Sequence, residues 1–212
     1  MSTSFRRALC GLFTATLLTA AHAEDRPWYL TLDAGLTRAG DPAFAGGRLT
    51  TRQGAAYGGA IGRQLGPHWR VEAAVMYRNN PVRRVTSPGF DAQPADADWA
   101  SVLLTVNALY DFTGVKFGQV EVRPYLGLGL GRAQEVDTDL RVGGSAREFS
   151  GSGSARQFMG VLRWNYGSPW IADLGVVVAD AGTVRLKSTS TAESFDARYR
   201  TTTFTARLGY RF

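Results

Sequence analysis

Eight charged residues sit at positions that a strand would turn away from its apolar face: Asp33, Arg70, Glu72, Asp111, Arg123, Arg163, Asp173 and Arg207. Four carboxylates against four guanidiniums is a balanced set. Its natural chemistry is ion pairing in a confined interior, because an unpaired buried charge costs several kcal/mol. Covalent chemistry has less to work with. Once the expected leader is removed, His68 is the only histidine, and Cys10, the only cysteine, lies in that leader. No nucleophile–base pair can be named, so no catalytic residue and no enzymatic activity is expected. One histidine without cysteine offers no metal cluster. Gly127, Gly129 and Gly131 alternate with leucines and lead into no helix, so they are not a phosphate loop. No cofactor and no nucleic-acid partner is expected.

The elements that must hold these charges follow from period-two patterning. Trp69, Val71, Ala73, Val75 and Tyr77 share one face of a segment, and Arg70, Glu72, Met76 and Arg78 share the other. The two bracketing aromatics lie about 26 Å apart along an extended chain. Seven other segments alternate in the same way: about 28–36, 55–65, 100–112, 120–132, 157–166, 170–178 and the terminal run through Phe204, Ala206, Leu208, Tyr210 and Phe212. Short connections at 66–68, 113–119 and 165–169 alternate with long polar ones at 38–54, 79–98, 133–155 and 179–201. Eight strands with short turns on one side and long loops on the other form an all-β, antiparallel, up-and-down transmembrane barrel. Trp28, Trp69, Tyr77, Tyr110, Phe112, Trp164, Tyr166, Trp170, Tyr210 and Phe212 then make its aromatic girdle. A soluble sandwich or lipocalin-like barrel has the same alternation, with the charged face in water instead.

The chain opens with Arg6 and Arg7, the apolar run Ala8–Ala20 and Ala21-His22-Ala23. That is the pattern of a secretory signal peptide over residues 1–23, too short for a membrane helix. Residues 24–212 are then the barrel domain. Losing Arg6 and Arg7, with no acid among residues 1–23, takes the formal charge from +6 to +4. The mature chain has no disulfide to stabilise it.

Ser101-Val102-Leu103-Leu104-Thr105-Val106-Asn107-Ala108-Leu109-Tyr110-Asp111-Phe112, followed by Arg123-Pro124-Tyr125-Leu126-Gly127-Leu128-Gly129-Leu130-Gly131, resembles the opacity-protein and OmpA-like family of small outer-membrane β-barrels. The resemblance covers essentially the whole mature chain. It implies a monomer in the outer membrane of a Gram-negative bacterium, surrounded by lipid and lipopolysaccharide. Phe212 looks like the terminal signal that the barrel-assembly machinery reads. Relatives act as surface antigens, adhesins or envelope-stabilising proteins, and the chain ends without the peptidoglycan-binding domain that some carry.

Two functions remain open. The first is a structural or surface-interaction barrel whose charges plug the lumen, with an extracellular ligand the sequence does not name. The second is a narrow porin-like path, favoured by the glycines of the fifth segment. Arg83, Arg84, Arg141, Arg147, Arg185, Lys187, Arg198 and Arg200 are expected in extracellular loops. There they form either a solvated surface or a patch for lipopolysaccharide phosphates or anionic host glycans. Gly143-Gly144-Ser145 and Ser150–Ser154 read as flexible by composition.

Overall fold

The computed structural model describes residues 27–44, 46–88, 90–94, 97–142 and 145–212; the expected leader lies outside them. Twelve strands follow one another: β1 (Trp28–Ala39), β2 (Ala43–Phe44), β3 (Gly47–Thr51), β4 (Gly54–Gln64), β5 (Trp69–Ser87), β6 (Phe90–Ala92), β7 (Ala97–Asp111), β8 (Val115–Phe117), β9 (Val120–Val142), β10 (Ser145–Asn165), β11 (Trp170–Ser188) and β12 (Ser194–Arg211). Eight of them close a ring in the order β1-β4-β5-β7-β9-β10-β11-β12, all antiparallel, with β12 returning to β1. The other four are short additions: β2, β3 and β6 at the long-connection end, and β8 at the short-turn end.

The stagger of the ring can be read from its pairs. From Ala39 the partners run through Thr201, Ala179, Gln157, Gly129, Asn107, Glu72 and Gly62 to Tyr29, ten residues back on the same strand. With ordinary strand spacings this tilts the strands about 40° to the barrel axis. It also leaves a bore that side chains can fill.

The faces are inside out relative to a soluble barrel. Leu128 and Leu130 are 66% and 75% exposed on the outer wall, whereas Arg70, Glu72, Asp111, Arg163 and Asp173 are buried within. Lipid outside and charge inside is the only solvent arrangement that suits both faces.

The long connections depart from expectation. Much of 79–98, 133–155 and 179–201 is strand, and β9 and β10 run 23 and 21 residues where about ten would cross a membrane. Ser150–Ser154, expected to be flexible, lies within β10; Gly143 and Gly144 lie outside the described residues. Cross-strand pairing continues to Val142↔Ser145 and to Lys187↔Ser194, so these backbones satisfy each other. Bulges change the facing on the way up. Gly182, at φ +65°, sits where Asp180 and Gly182 take successive partners on β12, and its N–H donates to Asp180 Oδ1 at 2.6 Å. Beyond the bulges Val85, Val136, Val184 and Leu186 turn inward, and with Leu49, Trp99, Leu103, Phe149 and Tyr199 they form one apolar core. Loop hydrophobics thus cap the bore.

Candidate functional site

The lumen is built in two tiers. The lower tier, toward the short turns, is a connected polar network. Arg70 forks onto Asp111, Nε to Oδ2 at 2.8 Å and Nη2 to Oδ1 at 2.7 Å. Its Nη1 donates to the Tyr29 hydroxyl at 3.1 Å, which donates to Glu72 Oε2 at 3.2 Å. Arg207 closes the chain. Its Nη1 donates to Glu72 Oε2 at 2.8 Å, and Nε and Nη2 clasp Asp33 at 2.7 and 3.0 Å. Across the bore Arg163 clasps Asp173, with both contacts at 2.8 Å, and Tyr125 donates to the same carboxylate at 2.9 Å. The Tyr125 ring lies beneath Arg70 and Arg163, 4.3 and 5.2 Å from its centroid. Bidentate pairs with their remaining donors satisfied are what a buried charge requires.

Seven of the eight expected lumen charges therefore meet: Asp33, Arg70, Glu72, Asp111, Arg163, Asp173 and Arg207. Arg123 does not join them. It faces inward opposite Arg163, but its guanidinium donates to Glu121 at 2.8 Å at the rim. Sitting opposite another guanidinium, it turns toward the carboxylate two residues away on its own strand. Arg211, also near the mouth, donates to Asn165 at 2.6 Å. Sequence reasoning missed the two phenols that join the ion pairs, although alternation points Tyr29 and Tyr125 inward.

The space beside the glycine column of β9 is taken by side chains of neighbouring strands. A Cβ at Gly129 would meet Asn107 and Gln157, and one at Gly127 would meet Leu109 and Met159. Gln157 donates to Asn107 Oδ1 at 2.7 Å and to Thr105 at 3.0 Å, and Asn107 donates to Glu72 at 3.3 Å. The missing side chains are replaced by neighbours.

Arg78 lies higher, between the tiers, and is 1% exposed. Its Nε donates to Thr203 Oγ1 at 3.1 Å, and Thr203 donates to Thr37 at 3.1 Å. Both of its terminal nitrogens are buried without a hydrogen-bond partner among the described residues.

Outside, the expected girdle is lopsided. Trp28, Trp69, Tyr110, Phe112, Trp164, Tyr166, Trp170, Tyr210 and Phe212 all lie toward the short turns, where Trp69, Tyr110 and Phe112 interlock at centroid distances of 5.0 and 5.2 Å. The Phe212 N–H donates to Trp28 O at 2.9 Å, across the β1–β12 seam. At the other edge stands Tyr77, packed 4.9 Å from Tyr57. His68 lies in a short turn, its Nδ1 2.9 Å from the Asp111 carbonyl oxygen and its ring stacked on Tyr110. Among the described residues no group of three His, Cys, Asp or Glu side chains is placed to hold a metal ion.

The basic residues expected on loops stand instead on strand extensions. Arg83 and Arg84 are in β5, Arg185 and Lys187 in β11, and Arg198 and Arg200 in β12; Arg141 and Arg147 lie in β9 and β10, with only their backbones described. Arg84 is matched by Asp91, Nε to Oδ1 at 2.7 Å. A facing patch of acids rises on β7 and β9: Asp98, Glu135, Asp137 and Asp139. Burial, followed by the neighbouring charges of Glu135, Asp98 and Asp139, pushes the Asp137 carboxyl up to about 7.

The family model for the outer membrane protein beta-barrel domain matches residues 8–212. Among solved structures, Neisserial surface protein A is 17% identical, with a TM-score of 0.55, covering 87% of this chain and 97% of that one. The outer membrane protein OprG from Pseudomonas aeruginosa is 16% identical, with a TM-score of 0.52, covering 88% and 96%. At such identities the likeness is one of fold. No curated protein matches in sequence.

Proposed function

Since this chain belongs to the outer membrane protein beta-barrel family, and so resides in the outer membrane of a Gram-negative bacterium, we propose that it works there as a sealed barrel with a structural or surface-interaction role. The observation that carries this is the filled lumen. A continuous ion-pair network occupies the periplasmic half, and an apolar core occupies the half beyond the membrane. Opening a path through the first means breaking buried pairs, at about 3–5 kcal/mol each. The tall extracellular walls then offer surface for envelope contacts, antigenicity or adhesion.

We extend the same reading to a non-catalytic, monomeric barrel. His68 supports it by its place. It sits in a periplasmic turn, away from the outer leaflet.

Planar-bilayer recording of the purified, refolded protein tests the proposal. The expected trace is silent. Steady channels that vanish when Arg70 or Glu72 is changed would overturn the seal and restore the narrow porin-like reading.

A further inference from the structure

The outer wall carries a second charge pattern, and it lies where the membrane ends. Arg38 on β1 is the next outward residue after Leu36. Arg132 on β9 follows Leu130 in the same way, and Arg156 on β10 follows Phe158. On β12, Arg200 stands two outward positions beyond Phe204, with Thr202 between. All four are exposed. With β11 these strands form one unbroken arc, five of the eight around the ring. Among the described residues only Arg156 meets a carboxylate, Asp180 at 3.6 Å, so the arc keeps an excess of positive charge. Above Arg132 the wall turns acidic at that end of the arc, through Glu135 and Asp137 on β9 itself and Asp98 on the neighbouring β7.

We propose that Arg38, Arg132, Arg156 and Arg200 form a one-sided collar that binds the phosphate groups of an outer-leaflet glycolipid. This rests on the membrane placement above and not on the state of the lumen.

Depth selects the ligand. The guanidiniums stand at the upper edge of the apolar belt, at headgroup level, and point sideways into the leaflet. A phosphate there meets planar forks that bind it bidentately, which lysine cannot do. Acyl chains of the same lipid would lie on Leu36, Leu130, Phe158 and Phe204 just below. Arginine also takes the place of aromatics: the periplasmic edge has its dense girdle, whereas the outer edge has Tyr57 and Tyr77 on the far side of the arc. A soluble polyanion would instead meet the higher Arg185, Lys187 and Arg198 first. The acids above Arg132 repel phosphate there, which bounds the collar at its β9 edge.

The test uses the full chain refolded into phosphatidylcholine vesicles, alone or with diphosphorylated lipid A. The temperature at which heating changes the gel mobility of the folded band is read. Lipid A should raise it for the wild type, and dephosphorylated lipid A should not. The variant R38Q/R132Q/R200Q should fold, keep its heat-modifiable mobility and lose most of the rise. R38Q alone should lose part of it. R185Q/K187Q/R198Q should retain it. A rise that survives dephosphorylation, or that disappears with the upper variant and not the collar variant, would overturn the proposal. Loss to the upper variant with capture of dextran sulfate would assign the basic surface to soluble polyanions instead. Channels recorded from the same samples would sink the sealed-barrel reading and leave this shift untouched.

Discussion

Arg70 and Arg78 stand eight residues apart on the same inward face of β5, and both are almost fully buried. Arg70 has two bonds to Asp111, one to Tyr29 and a phenol ring beneath it. Arg78 has one hydrogen bond, to the Thr203 hydroxyl, and the Tyr199 phenol beside it, but no carboxylate. The difference shows what the lumen is made of at each height. Below Arg78, carboxylates from β1, β5, β7 and β11 are in reach, and charge is packed against charge. Above it they run out, and the walls turn Trp99, Phe149 and Tyr199 inward instead. Arg78 sits at the boundary, buried by the second tier and unpaired by the first.

That contrast can be broken at either end. The largest effect belongs to Arg70→Met. It strands Asp111 and weakens Tyr29, so stability should fall by about 3–5 kcal/mol. Urea unfolding in lipid, followed by gel mobility, reads this. Next comes Trp99→Ala, which removes the largest fully buried side chain and its stack on Tyr199. A loss near 3 kcal/mol is expected, but in the extracellular walls. Limited proteolysis should cut there while the heat-modifiable barrel persists. Arg78→Met should do the reverse of Arg70→Met: little change or a gain of roughly 1 kcal/mol, because it replaces an ill-partnered buried charge with an apolar chain. Thr203 keeps Thr37 as its partner. A loss comparable to Arg70→Met would erase the contrast.

The smallest effect is set by pH. The Asp137 carboxyl is raised from 3.8 to about 7, so the folded wall holds its proton more tightly than the unfolded chain does. Its contribution to stability is complete below pH ~4 and is lost as pH rises through ~7. The extracellular walls should resist protease better at pH 5 than at pH 8. Asp137→Asn should flatten that difference.

How much of this could be read from the chain depends on where alternation holds. Between Trp69 and Tyr77 the period of two is unbroken, and in the structure Trp69 faces outward while Arg70 and Glu72 are buried inside. Asp33, Asp173, Arg163 and Arg207 follow for the same reason. Beyond the bulges after Ala133 on β9 and after Asp180 on β11 the period slips, and the strand there reads as a polar loop. Val136, Val184 and Leu186 of the apolar cap, and Arg185 and Lys187, lie beyond these slips, whereas Arg198 and Arg200 keep the period of β12 in a stretch whose composition is mostly polar. Arg123 shows a second limit. Its inward direction is legible, but its nearest carboxylate depends on which strands become neighbours. Arg38, Arg132 and Arg156 were overlooked because the edge of the membrane belt is a property of the closed, tilted ring.

Small-ion efflux from sealed vesicles tests the two-tier lumen most directly, with the wild type, Arg70→Met and Trp99→Ala compared at equal protein density. If both tiers seal, the wild type retains its ions and each single variant, with the other tier intact, also holds them. Rapid efflux from the folded wild type would contradict the account.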